Sequence, residues 1–122
     1  MRKVIYFKIT AFFWTASVTI LSLKSNVQFA DAITIPYKDK VVHFTFYFIF
    51  CWLWYLGLQH KTIRNLKLVL LYAVLYGVLM EVFQGCFTLT RQPDFYDIVA
   101  NCLGGLVAYA ILQKQTMKPF EN

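Results

Sequence analysis

Residues 66–87 read LKLVLLYAVLYGVLMEVFQGCF. A helix of about 20 predominantly apolar residues crosses a hydrocarbon core, and this run is long enough to do so. Its one acid, Glu81, precedes Phe87 by six residues, which places it about 9 Å from the end of the run at a helical rise of 1.5 Å per residue. A carboxylate at that depth is costly and faces a bundle interior or a wet cavity, not lipid. The stretch therefore predicts a membrane-crossing helix that buries a polar group against its neighbours. Ala73, Gly77, Glu81 and Gly85 recur every four residues, a stripe of small side chains that lets another helix approach closely.

Three further apolar runs flank it. Residues 4–23 (VIYFKITAFFWTASVTILSL) and 41–59 (VVHFTFYFIFCWLWYLGLQ) precede it. Residues 97–115 follow it and carry Ala100, Asn101, Gly104, Gly105 and Ala108, again small residues at helical spacing. Four such segments are too few to close a membrane barrel of strands. The expected fold is a single all-α domain over residues 1–122. It is a bundle of four transmembrane helices at about 4–23, 41–59, 66–87 and 97–115. The last two, joined by the short polar loop TLTRQPDFY, should form a tight hairpin packed through Gly77, Gly85, Gly104 and Gly105. The first run has a rival reading as a secretory signal, with Met1-Arg2-Lys3 as its basic head and Ala30-Asp31-Ala32 as a cleavage site. Its apolar stretch is long for a signal and the Ala-x-Ala lies well beyond it, so a retained helix is expected.

The composition agrees. Of 122 residues, 59% are hydrophobic and 15% charged, against about a quarter charged in soluble proteins. The net charge is +6, but the basic residues flank apolar runs and do not gather on one soluble face. That argues against nucleic acid as a partner and for topology signals that also suit anionic lipid headgroups. With the N-terminus inside, Arg2, Lys3, Lys8, Lys61, Arg64, Lys67, Lys114 and Lys118 lie on the inner side, and Lys24, Lys38, Lys40 and Arg91 on the outer. Eight against four favours an N-in, C-in arrangement. Cys51, Cys86 and Cys102 all fall in apolar runs without a C-x-x-C, which reads as small buried residues. A Cys86–Cys102 bridge is the one open alternative. Trp52, Trp54 and Tyr55 read as lipid-facing or interfacial bulk.

On that topology the second and fourth helices begin outside and the third ends there. Lys40, His43, Glu81, Gln84, Arg91, Asp94, Asp97 and Asn101 then converge on the outer end, and Glu81 should face Asn101 or Asp97. Two helix N-termini, with Lys40, His43 and Arg91, attract an anion, and the carboxylates supply acceptors beside them. An amphiphile with a phosphate or sugar head matches such a site. Plainer readings stand beside this one: Glu81 as a bundle-holding acid, Asp97 as a helix cap, the lysines as interface anchors and His43 as an interfacial histidine. His43, Glu81 and Asp97 are metal-binding residue types, yet no spacing signature marks a metal site, and neither metal nor cofactor is expected.

The same residues carry a family resemblance. Asp39-Lys40-Val41-Val42-His43, then Glu81-Val82-Phe83-Gln84, then Arg91-Gln92-Pro93-Asp94-Phe95-Tyr96-Asp97-Ile98-Val99-Ala100-Asn101-Cys102-Leu103-Gly104 resemble the VanZ-like family of small bacterial membrane proteins. That family pattern is D-K-x-x-H entering one helix, E-x-x-Q late in the next, and R-x-x-(D/S)-x-x-D-x-x-x-N-x-x-G entering the last. The likeness runs from about residue 37 to 110. It implies a multi-pass protein of the bacterial cytoplasmic membrane, and the name-giving member is associated with reduced susceptibility to teicoplanin, a lipid-bearing glycopeptide. It implies no particular reaction.

Two functional expectations follow. The first is a protein that binds or shields an amphiphile, either a lipid headgroup, a lipid-linked envelope precursor or a lipoglycopeptide, at the outer leaflet, with membrane lipids as partners. The second is a membrane-embedded enzyme on a lipid head, with Glu81 or His43 as general base and Arg91 holding phosphate. It lacks a recognisable nucleophile. A helper subunit of a larger complex also fits the small size. Oligomeric state is left open.

Overall fold

The computed structural model describes residues 2–23, 38–87 and 94–118. These form four helices and no strand: α1 (Arg2–Leu23), α2 (Lys38–Leu56), α3 (Ile63–Phe87) and α4 (Phe95–Met117). Arg91, the loop between α1 and α2 and the Ala30-Asp31-Ala32 motif lie outside the described residues. The helix ends follow from local chemistry. The Thr62 hydroxyl accepts the Asn65 N–H at 3.1 Å and starts α3, and the Asp94 carboxylate accepts the Tyr96 N–H at 2.9 Å and starts α4. Each satisfies a donor that the first helical turn leaves orphaned. α2 begins at Lys38 and stops at Leu56, ahead of Gly57. Gly57 lies against α1, where a Cβ would sit 3.0 Å from Lys8 Cγ and 3.2 Å from Lys8 N.

α1, α3 and α4 are each long and apolar enough to cross a membrane. Their outward faces are rich in exposed apolar residues, such as Phe12 and Phe13 on α1, Leu71 and Leu75 on α3, and Leu103 and Leu106 on α4. Apolar faces of that extent suit a lipid environment better than water. α2 differs. Asp39, Lys40, His43 and its Trp and Tyr residues dilute its apolar character, and of its large apolar side chains only Val41 is strongly exposed. It packs on all three other helices, most extensively on α4.

α3 and α4 pack against each other, with Gly77 facing Asn101 and Gly105 facing Leu70, but the most intimate approach in the bundle is α4 on α2. A Cβ on Gly104 would fall onto the Phe44 carbonyl oxygen, 3.0 Å from the Phe44 carbonyl carbon and 3.1 Å from Phe48 N. Gly105 faces Leu70 of α3 and Cys51 of α2. Gly77 makes room for side chains, since a Cβ there would meet Asn101 Nδ2 at 3.2 Å and Tyr47 Cε1 at 3.3 Å. Gly85 is exposed. A four-residue stripe marks which residues are small, but the azimuth of the partner helix decides which of them are used.

The aromatic residues of α2 also depart from expectation. Tyr55 is buried, with its hydroxyl 2.5 Å from Thr116 Oγ1. Trp54 Nε1 donates to Thr15 Oγ1 at 2.9 Å, and Trp14 Nε1 of α1 donates to the Phe46 carbonyl at 2.9 Å. The polar tips of these rings tie α2 to its neighbours, each interhelical bond contributing about 0.6 kcal/mol on average in a membrane. Tyr47, Phe50, Cys51, Val69, Ala73 and Ala108 form the central core. Of the cysteines Cys51 alone is buried, Cys86 is exposed, and all three are free thiols.

Candidate polar site where three helices meet

The helical period explains why the polar residues point inward. On α2, Lys40, His43, Tyr47, Cys51 and Tyr55 fall on one stripe, and its lower members are core. On α3 the buried positions run Leu66, Val69, Ala73, Gly77, Met80, Glu81, Gln84. On α4 they run Asp97, Ala100, Asn101, Gly104, Gly105, Ala108, Leu112. In each helix the apolar stripe continues into polar residues at the same end of the bundle. His43, Glu81, Gln84, Asp97 and Asn101 are all buried, Glu81 to 1% exposure.

Lys40 sits at the mouth. Its Nζ is 2.5 Å from Asp97 Oδ1, 2.8 Å from Asp94 Oδ2 and 3.1 Å from Asp39 Oδ2. Its charge is thus answered by three carboxylates, and the contacts to Asp94 and Asp97 tie α2 to α4. Deeper in, the His43 Nδ1 is 3.0 Å from Asn101 Oδ1 and 4.0 Å from Glu81 Oε1, while His43 Nε2 is 3.5 Å from Asp97 Oδ2. Glu81 uses its other oxygen, Oε2, to accept the Asp94 N–H at 3.2 Å. Each acid therefore anchors one oxygen and turns the other toward the imidazole. With the Asn101 amide oxygen as acceptor, His43 donates from Nδ1, and its Nε2 faces the Asp97 carboxylate.

The sequence singled out every one of these groups except Tyr47. That side chain is buried, one turn from His43, and lies with Asn101 over Gly77. Among the described residues neither the Tyr47 hydroxyl nor Asn101 Nδ2 has a hydrogen-bond partner. The i, i+4 spacing from His43 was the available signal. Gln84 donates from Nε2 to the Ser22 carbonyl of α1 at 2.9 Å and ties α1 to α3.

At the mouth, the hydrogen bond from Lys40 holds the Asp94 carboxyl below its ordinary 3.8. A depressed acid stabilises the fold above its unfolded pKa, and that contribution is lost as pH falls through the folded value. Asp94→Asn should therefore lower the unfolding midpoint at neutral pH and shrink the difference from wild type as pH drops below 3.8. Denaturant titrations across that range check this, and a pH-independent difference would contradict it.

The family model described as VanZ/LLP1 matches residues 3–116. An uncharacterized protein of the fission yeast Schizosaccharomyces pombe is 32% identical over 87 residues, covering 71% of this chain and 54% of that protein. The chain thus spans about half the length of this curated relative. No solved structure matches. The family match takes in all four helices and every residue of the cluster, and on it the chain belongs to the VanZ/LLP1 family.

Proposed function

We propose that this protein binds the polar head of a membrane amphiphile at the end of the bundle where α2 and α4 begin. One observation carries the reading. Three helices that are otherwise apolar inside deliver His43, Glu81, Asp97 and Asn101 to one buried cluster, with Lys40 at its rim. Buried ionisable groups at membrane depth are expensive and mark functional sites. The N-termini of α2 and α4 add their positive dipole ends at the same place. In this reading α2 crosses the membrane as a fourth span, sheltered by its neighbours, and both termini lie on the inner side. The cluster then lies at the outer leaflet, where the apolar tail of a ligand rests on the lipid-facing helices. A fission-yeast relative leaves the reading independent of a bacterial envelope and of any antibiotic.

The test is headgroup preference. Purified protein in nanodiscs is titrated with lipids that bear a phosphomonoester head and compared with phosphatidylcholine. Selective occupancy that weakens in Asn101→Ala and in Arg91→Ala is expected, and equal occupancy by both lipids would sink the proposal.

The imidazole favours a second reading. His43, its Nδ1 proton held by Asn101 and its Nε2 facing Asp97, has the arrangement of a general base. It would take a proton from water as the water oxygen bonds to a headgroup phosphorus, and the imidazolium would give a proton to the ester oxygen as its bond to phosphorus breaks. Release of inorganic phosphate from a phosphomonoester lipid, abolished in His43→Gln while lipid binding persists, would favour this reading over binding alone.

A further inference from the structure

We infer that His43, Glu81 and Asp97 form a binding site for a divalent cation of the Mn²⁺ or Zn²⁺ class. One ligand atom from each lies within 4.8 Å of the others, and all three residues are buried. Ligands on a tetrahedral metal with bonds of about 2.1 Å stand about 3.4 Å apart, so the three close on an ion with side-chain shifts of about 1 Å. An imidazole nitrogen with two carboxylate oxygens suits these ions. The surrounding contacts are those of an oriented ligand set. Nδ1 of His43 is engaged by Asn101 Oδ1, which turns Nε2 toward Asp97 Oδ2. Asp97 Oδ1 is held by Lys40 and Glu81 Oε2 by the Asp94 N–H. Groups that fix the far side of each ligand in this way are what tune metal sites.

A second observation points to an occupant. Asn101, 3% exposed, lies against the imidazole, and its Nδ2 has no hydrogen-bond partner among the described residues. The buried Tyr47 hydroxyl beside it is in the same condition. Buried donors left without partners cost about 1–3 kcal/mol each, and water or anionic groups on a bound cation would satisfy them. The three ligands come from three helices, so the ion would also clamp α2, α3 and α4 at this end. No spacing in the sequence signals such a site, because each helix gives a single ligand.

The site does not depend on the amphiphile reading, and its test uses the metal alone. Detergent-solubilised full chain, stripped with chelator, is titrated with Mn²⁺ and followed by electron paramagnetic resonance. About one equivalent should bind and be displaced by Zn²⁺. Pulsed spectra should show imidazole nitrogen coupling that persists in His60→Gln, whose ring is exposed at the other end, and vanishes in His43→Gln. Glu81→Gln and Asp97→Asn should each weaken binding about 10–100-fold. Folded wild-type protein that binds no Mn²⁺, or binds it without nitrogen coupling, overturns the inference whatever the variants do. Binding of Mn²⁺ without any headgroup preference would leave the cation site standing and remove the amphiphile reading.

Discussion

Gly104→Leu should abolish the folded bundle, and Gly104→Ala should cost about 3 kcal/mol, at or above the upper end for overpacking. The new Cβ lands on the Phe44 carbonyl and against Phe48 N, which are backbone atoms of α2. A flexible side chain could yield there, but a helix backbone yields only if the whole helix moves. α2 would leave α4, and His43 and Lys40 would leave Asn101 and Asp97 with it. Without a hydrophobic drive between helices in lipid, close packing is much of what holds them, so little remains to compensate. Gly85→Ala is the control. That glycine is exposed in the last turn of α3, and alanine is the better helix former. Unfolding titrations in mixed micelles should show loss for the first position and no loss for the second.

Lys40→Met should destabilise by about 3 kcal/mol. Its ammonium is bonded to Asp39, Asp94 and Asp97; Asp39 and Asp94 are exposed to solvent, but removing the lysine strands the buried carboxylate of Asp97. Asp97, with 12% of its side chain exposed, suffers most. The double variant Lys40→Met/Asp97→Leu should lose less than the sum of the two single changes, because it removes the stranded charge together with its partner. Additive losses would mean that the two residues act separately, against the 2.5 Å contact.

Much of this was legible in the sequence, and the gaps have physical causes. Helix positions follow from run length and hydropathy, and the convergence of His43, Glu81, Asp97 and Asn101 follows once the helices alternate. The choice of contact partner does not. Ala73, Gly77, Glu81 and Gly85 look equivalent in a four-residue stripe, yet Gly77 is buried and Gly85 exposed. Charge pairing was equally hidden. Lys40 reads as an anion-attracting charge or an interface anchor, because two of the three acids that bind it, Asp94 and Asp97, lie more than fifty residues away. Tyr55 read as interfacial because its type suits an interface, and only the position of Thr116 on α4 shows that its hydroxyl is satisfied inside.

The account rests on the buried cluster being a site and not a structural tie. Glu81→Gln separates the two with one paired measurement, headgroup binding and unfolding midpoint on the same nanodisc preparation. Glutamine keeps an acceptor for the Asp94 N–H and removes a charge from a residue only 1% exposed. Buried charges kept for function are commonly carried at a cost in stability. The account predicts lost binding of the phosphomonoester lipid in a bundle whose midpoint is unchanged or higher. A bundle that unfolds more easily yet binds as wild type does would contradict it.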